Sequence, residues 1–569
     1  MKFALLPGRS LRSRLSRPRG APVAAEALES RVMLSVVETQ TIRSVTPPSF
    51  AQDSAPASLD LSGFFVDQTT GLPDLTFSVT SDKQSLVNPS VSGSVMTLTF
   101  GAGMSGYAHL SVVATDPTGQ RGGETFRVKV AAAPNRSLDV PLGPSRRTFS
   151  FVEADHSAAL ITLVGPGSGT IHMSGDQLQL RGDHAHGSNQ QIESITLTGT
   201  TTATSILIRG RAHGRTFPIM GDISADGPLR GVNIKNTTLD GDLTAAGRVG
   251  RMQIDSAQDG NISFGGSSRA IILNAGTFVD ENFSSGAPVL KVLATQWVNT
   301  GSAPETFTTP YLKDLLAIAN FEVGLQLNGT GVQGRTLGHV RVLGAIGGPW
   351  RVVGKSAPLN IGGTTTDWAA RFDSLARITD TGSLGGALQV PSINSIFIGG
   401  QMSNAVMSFT APNTTDLGKM VVRGGMFGSV VQAVGNLGTI IAEAMQRSAI
   451  STGVGQLPAG QALPMTPSDF TNSSRIGSVF LRPTQKVIGF LASEIAAPNI
   501  GQLALGTTRT DNGGAPFGVA AVQIASLSAR DQTHHRAFTL TALHDAAGLA
   551  AELAARHLDL QDFKIQLVG

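Results

Sequence analysis

The chain has no cysteine, which excludes disulfide scaffolds, thiolate metal sites and cysteine nucleophiles and leaves its redox compartment open. Aromatic residues are few, 5%, with three Trp and two Tyr. The chain therefore has little material for the flat apolar platforms on which sugar rings stack. Charged residues are scarce at 15%, against about a quarter in an average globular chain. No apolar run reaches 18 residues, so no transmembrane helix is predicted. Phosphate-binding G-x-x-x-x-G-K-[ST], zinc-binding H-E-x-x-H and EF-hand loops are all missing. Glycine, by contrast, is abundant at 67 residues, in company with many Ser and Thr and with 41% apolar residues. That mixture suits short strands joined by tight turns around a sizeable core, and it speaks against disorder beyond a leader and linkers.

The sparse charge is unevenly placed. Residues 1–31 carry seven basic residues (Lys2, Arg9, Arg12, Arg14, Arg17, Arg19 and Arg31) against Glu26 and Glu29, a net of +5. The whole chain is +3, which leaves −2 for residues 32–569. The basic balance belongs to the leader, and nucleic acid is not an expected partner. Residues 3–6 are too short for the apolar core of a secretory signal, and Pro7 and the arginines interrupt it. The run R-x-x-R-x-R followed by "ALESRVMLS" resembles the LEPR-XLL leader, an Arg-rich stretch before a short L-E-x-R-x-L-L-S-like box. Ser30 stands in place of the family's Pro, and Met33 in place of a Leu. The resemblance covers about 35 residues and implies a large exported protein, secreted or at the cell surface, from a lineage of budding bacteria. Residues 1–35 are thus read as a basic sorting leader without fixed structure, and the polar stretch 36–56 with Pro47 and Pro48 as a linker.

From Leu59 the pattern becomes period-two alternation. Leu75, Phe77 and Val79 share one face, as do Met96, Leu98 and Phe100, then Leu110, Val112 and Ala114, then Phe126, Val128 and Val130. Turn signals at 70–71, 92–93 and 118–119 divide six or seven short strands, which predicts an antiparallel β-sandwich over 57–132. The phrases "LDLSGFFVD", "LTFSVTSD", "VSGSVMTLTF" and "AHLSVVATDPTG" resemble a cadherin-like, dystroglycan-type module of immunoglobulin fold. Such modules often carry an acidic D-x-D-G-D-type stretch that holds calcium. Here that stretch is "VDQTTGLPD", so the calcium candidates reduce to Asp67 and Asp74, with Asp116 as a third. Calcium takes six to eight oxygens, and turn-capping accounts for these aspartates without it.

After Ala133 a six-residue phrase recurs: apolar, often Gly, any, apolar, any, apolar. It reads "IESITL" at 192–197, "LRGVNI" at 229–234 and "VGRMQI" at 249–254. It returns as "LGHVRV" from 337, "INSIFI" from 393, "LGKMVV" from 417, "LGTIIA" from 437, "IGSVFL" from 476 and "IGQLAL" from 500, with spacings that include 20 and 24. A coil of that size built from short strands is one turn of a parallel β-helix. Glycine in the second place and at corners fits positions that need positive φ or close backbone approach. The Gly, Thr and Val content and the h-x-h spacing exclude a helical repeat, and the Asn-bearing signature of leucine-rich repeats is missing. The β-solenoid is assigned to 133–540. In "LGKMVV", Leu417, Met420 and Val422 are expected inside, with Lys419 and Val421 outside. Residues 541–569 combine an Ala/Leu-rich helix with the alternating Phe563, Ile565 and Leu567, and read as a helix–strand cap.

Four further stretches carry residues capable of chemistry. "GDHAHG" sets Asp183, His184 and His186 close together, but an ion needs more ligands than that, and a hydrated loop is the expected reading. "THHR", with His534 and His535, is a weaker case, and "RGD" at 181–183 is a tripeptide common by chance. Asp240, Asp242, Asp255 and Asp259 offer carboxylates for glycan hydrolysis, although turn chemistry explains them too. The expectation is a non-catalytic, exported structural or adhesion protein without a cofactor, whose partners are other surface proteins or polysaccharide. The alternative is a polysaccharide-binding or polysaccharide-cleaving β-helix. A groove lined by Ser, Thr and Gly would favour the first, and clustered carboxylates and aromatics the second.

Overall fold

A computed structural model of the chain describes residues 40–568, apart from 42–48, 64, 67–74, 116, 118–120, 132–136, 154–155, 215–216, 302–303, 330–333, 367, 413, 459–460 and 485–486. The leader and all three calcium candidates, Asp67, Asp74 and Asp116, lie outside the described residues.

The N-terminal strands are β1 (Ser49–Ala51), β2 (Ala57–Asp60), β3 (Thr76–Ser81), β4 (Val87–Ser92), β5 (Val95–Phe100), β6 (Gly106–Thr115) and β7 (Arg121–Ala131). They form two sheets, β1-β7-β6-β3 and β2-β5-β4. Between them lie Met96, Leu98, Leu110, Val112, Ala114, Phe126, Val128 and Val130, side chains that alternation assigned to the inside. One pairing differs from the antiparallel expectation, because β1 runs parallel to β7, Phe50 opposite Val130. This edge strand carries Phe50 over to Phe100 of the other sheet, their rings 4.7 Å apart, so it closes the sandwich at that side.

From Ser137 the chain builds a single continuous sheet of coils. Its first strands pair antiparallel, Ser168–Arg181 against both Ser137–Leu142 and His184–Thr198. Beyond them the ladders become parallel and continue for about 14 turns. The recurring phrase forms one ladder. Its fourth position gives an uninterrupted inward row that includes Val232, Met252, Leu273 and Val292 and, further on, Ile396, Met420, Ile440, Val479 and Leu503. Each is at most 1% exposed, and burying such a side chain contributes about 1.5–3 kcal/mol. Leu417, Met420 and Val422 are buried while Lys419 is exposed and Val421 half-exposed, so the expected register holds. The other faces carry aromatic rows into the same core, with Phe283 stacked on Phe307 at 4.5 Å and Trp297 edge-on to Phe278 at 4.8 Å.

The glycine of the phrase is explained by close approach alone. A Cβ on Gly438 would lie 2.0 Å from the carbonyl oxygen of Gly418 in the preceding coil, and one on Gly501 2.2 Å from that of Gly477. At its C-terminal end, Ala537–Leu543 turns back antiparallel on Gln523–Asp531. The helix α1 (Ala546–Ala555) follows, its N-terminus capped by Asp545, which accepts from the Gly548 N–H. Phe563–Leu567 then adds a parallel strand to Phe517–Ala521. These pieces cover the last coil, whose strands would otherwise expose a pairing edge.

Candidate functional site

The buried ionisable groups concentrate where the sandwich meets the first coils. On β6 and β7 the residues between the core positions, Tyr107, His109, Arg127 and Lys129, face away from the sandwich interior. Period-two geometry dictates this, and their bulk and polarity make that face cationic. Against it stands a corner of the solenoid where a short phrase repeats from coil to coil: "LDGD" at 239–242, "QDGN" at 258–261 and "VDEN" at 279–282.

The corner is tight. Asp259 and Asp280 adopt φ of 55° and 51°, a left-handed conformation that aspartate tolerates better than most residues. A Cβ on Gly260 would meet the Gly241 carbonyl oxygen at 2.3 Å and Glu281 Oε1 at 3.2 Å. Side-chain carboxylates also cap the next coil: the Asp242 N–H donates to Asp222 Oδ1 at 3.0 Å, and the Asn261 N–H to Asp242 Oδ1 at 3.0 Å.

Contacts between the two regions are polar and mostly buried. Arg127 donates through Nη1 to the Asp240 carbonyl at 2.7 Å and through Nη2 to Asp222 Oδ1 at 2.6 Å, and its guanidinium lies 4.4 Å from the centre of the Tyr107 ring. The Tyr107 hydroxyl donates to the Glu193 carbonyl at 2.9 Å, and Lys129 Nζ pairs with Glu193 Oε2 at 3.3 Å. His109 is 6% exposed. Its backbone N–H donates to Asp82 Oδ1 at 2.8 Å, and its Nδ1 bonds Asp82 Oδ2 at 3.0 Å. On the ring's other side, Nε2 lies 3.0 Å from Asp240 Oδ1 and 3.5 Å from Asp259 Oδ2. The Nε2–Asp240 pair is close but lacks the alignment of a hydrogen bond, and both atoms have no hydrogen-bond partner. Glu281 is fully buried, and neither of its carboxylate oxygens has a hydrogen-bond partner.

Burial opposes charge on His109, but Asp240 and Asp82 more than offset it and push its pKa up to about 10. Burial raises Asp259, against the pull of His109, to about 6. Burial, aided by the neighbouring Asp242 and Asp259, drives Glu281 well above the usual carboxylate range. Burial also lifts the Tyr107 phenol, with Asp222 adding to the effect, so that it stays protonated.

Of the four aspartates considered for hydrolysis, Asp240 and Asp259 come together here, 1% exposed and partly buried respectively. Asp242 is a cap, and the exposed Asp255 accepts from the Asn236 N–H. Asp183, His184 and His186 are exposed, with His184 bonded to Ser150, and the 181–183 tripeptide is the exposed turn between the strands ending at Arg181 and beginning at His184. His534 bonds Asp531, and His535 is exposed. Sequence reasoning missed Asp82, His109, Arg127, Lys129 and Glu281. Two signals pointed to them: large polar side chains on the outward face of two alternating strands, and the D-G-D, D-G-N and D-E-N series at coil spacing, in which Glu281 takes the place of a glycine. No protein-family model matches the chain, and no curated protein matches it.

Proposed function

We propose that the protein is a non-catalytic structural or adhesion protein, exported to the cell surface or beyond it, that works through the repetitive faces of its solenoid. The observation that carries this reading is an outward row in which Thr196, Ser224, Thr244, Ser263, Ser284 and Thr308 stand one above another. None of them is buried, and neighbours bond along the row, as Ser284 Oγ does to Ser263 Oγ at 3.0 Å. Further along the same face Gln432 donates to Ser408 at 2.7 Å. Coils repeat at about 4.8 Å, so the row offers donors and acceptors at a fixed short spacing to a flat, regular partner, another surface protein or a polysaccharide.

Two features argue against cleavage as the task. Trp297, Trp350, Trp368 and Tyr107 are buried, which leaves the half-buried Tyr311 as the one Trp or Tyr with an exposed face for a sugar ring. A groove of about 520 Å³ on the solenoid is lined mainly by Asn, Gly, Pro, Thr and Ala, with Glu322 its single carboxylate among the described residues, whereas glycoside hydrolysis uses two. Likeness of the leader to LEPR-XLL segments supports export, and likeness of residues 40–132 to cadherin-like modules supports an adhesive role. The test is fractionation of cells that express the full chain and a form lacking residues 1–35. The full chain is expected in the surface or extracellular fraction and the truncated chain inside, still folded; finding both in the cytoplasm overturns the reading.

A further inference from the structure

We propose that the corner between sandwich and solenoid is a binding site for a divalent transition-metal ion, Zn²⁺ or Mn²⁺, held by His109 Nε2, Asp240 and Asp259. The ion would lock the sandwich onto the first coils. His109 comes from β6, and Asp240 and Asp259 from successive coils of the solenoid, so the ligand set exists only when the two regions are docked.

The geometry is that of a ligand set. The ligand atoms of His109, Asp240 and Asp259 lie within 4.8 Å of one another, and Nε2 stands 3.0 and 3.5 Å from the two carboxylates. Atoms bound to one ion at about 2.0–2.2 Å are separated by about 3.0–3.5 Å in octahedral or tetrahedral arrangements. On the far side of the ring Asp82 takes Nδ1 at 3.0 Å, the carboxylate–imidazole support that orients metal-bound histidines.

Charge gives an independent argument. Arg127 pairs with Asp222 and Lys129 with Glu193, and among the described residues no basic side chain pairs with Glu281, whose charge is opposed by the nearby Asp242, Asp259 and Asp240. Glu281 is fully buried with both oxygens unpartnered, a costly arrangement without a compensating cation. Its Oε1 reaches to 3.2 Å from the place of a Gly260 Cβ, so the glycine at 260 makes room for it beside Asp259. One imidazole with carboxylates suits zinc or manganese; calcium prefers an all-oxygen shell.

The experiment uses the full chain, stripped with chelator and titrated separately with Zn²⁺ and Mn²⁺ by calorimetry, with bound metal counted by mass spectrometry after gel filtration. One ion per chain is expected. His109→Gln and Asp259→Asn should weaken binding by more than about 100-fold and Asp82→Asn by about 10–100-fold, with circular dichroism unchanged. The double variant His184→Gln, His186→Gln, which removes exposed histidines outside the site, should bind as the parent does. Absence of stoichiometric binding of either ion overturns the proposal, as does binding that survives His109→Gln or is lost in the His184, His186 double variant.

Discussion

In the middle of the solenoid Ile396, Met420, Ile440 and Val479 stack with no polar side chain between them, whereas beneath the sandwich His109, Arg127 and Lys129 face Asp240, Asp222 and Glu193. Both places are buried. The first is held by apolar area that every coil contributes alike, so it extends without limit and specifies only a register. The second is held by charges that are stable only in each other's company, so it specifies one docking position and no other. The difference shows what repetition can build and what it cannot: a solenoid needs a distinct contact wherever something must attach at a defined coil.

The strongest way to break this contrast is to place a charge in the dry row. Met420→Asp should cost several kcal/mol, because no donor waits there for the carboxylate. Limited proteolysis should then cut within residues 400–440, and the protein should aggregate through exposed strand edges, while Lys419→Asp on the outer face stays within about 0.5 kcal/mol of the parent. Equal tolerance of the two would refute the register.

Nature has made a milder version of that substitution. Asp380 lies in an inward row between Ile361 and Ile398, 0% exposed, with the Gly382 N–H donating to one oxygen at 2.8 Å and nothing to the other. Burial holds its pKa up at about 7, and that of Glu494 likewise at about 7. A carboxyl whose pKa is higher folded than unfolded binds its proton more tightly in the native state, so stability is fullest below about pH 4 and falls as pH rises towards 7. The shift at Asp380 sets an upper limit of about 4 kcal/mol on this loss. Urea unfolding of the parent and of Asp380→Asn between pH 4 and 8 should show the parent's decline shrinking in the variant. A decline of the same size in both would mean that Asp380 keeps its charge without cost.

Gly438→Ala probes the spacing of coils instead of their interior. Its Cβ would lie 2.0 Å from the Gly418 carbonyl oxygen, and the ladder must part to admit it, at roughly 1–3 kcal/mol. The melting temperature should drop by several degrees; an unchanged value would show that the coils part freely along this strand.

Much of this architecture could be read from the sequence because it follows from periodicity. The face of Met420, the sandwich positions Leu110, Val112 and Phe126, and the capping helix near Leu549 all come from local alternation or helical spacing, which neighbours in sequence are enough to reveal. The junction could not be read in this way. Asp240 and Asp259 invited a turn-capping reading because their pairing with His109 joins residues more than a hundred positions apart. Glu281 in "VDEN" looks like any surface acid until the fold buries it. Charge complementarity between two regions is a property of the docked surfaces, and no local pattern encodes which surfaces meet.

The most direct test of the contrast is amide hydrogen exchange on the full-length Arg127→Ala variant. Asp222 is partly exposed and its pair is worth only roughly 1–2 kcal/mol, so the variant should remain folded. Faster exchange is expected within residues 106–131 and 219–262, where sandwich and first coils touch, with protection from residue 334 to 531 the same as in the parent. Faster exchange spread evenly along the solenoid, or none at the junction, would contradict the account.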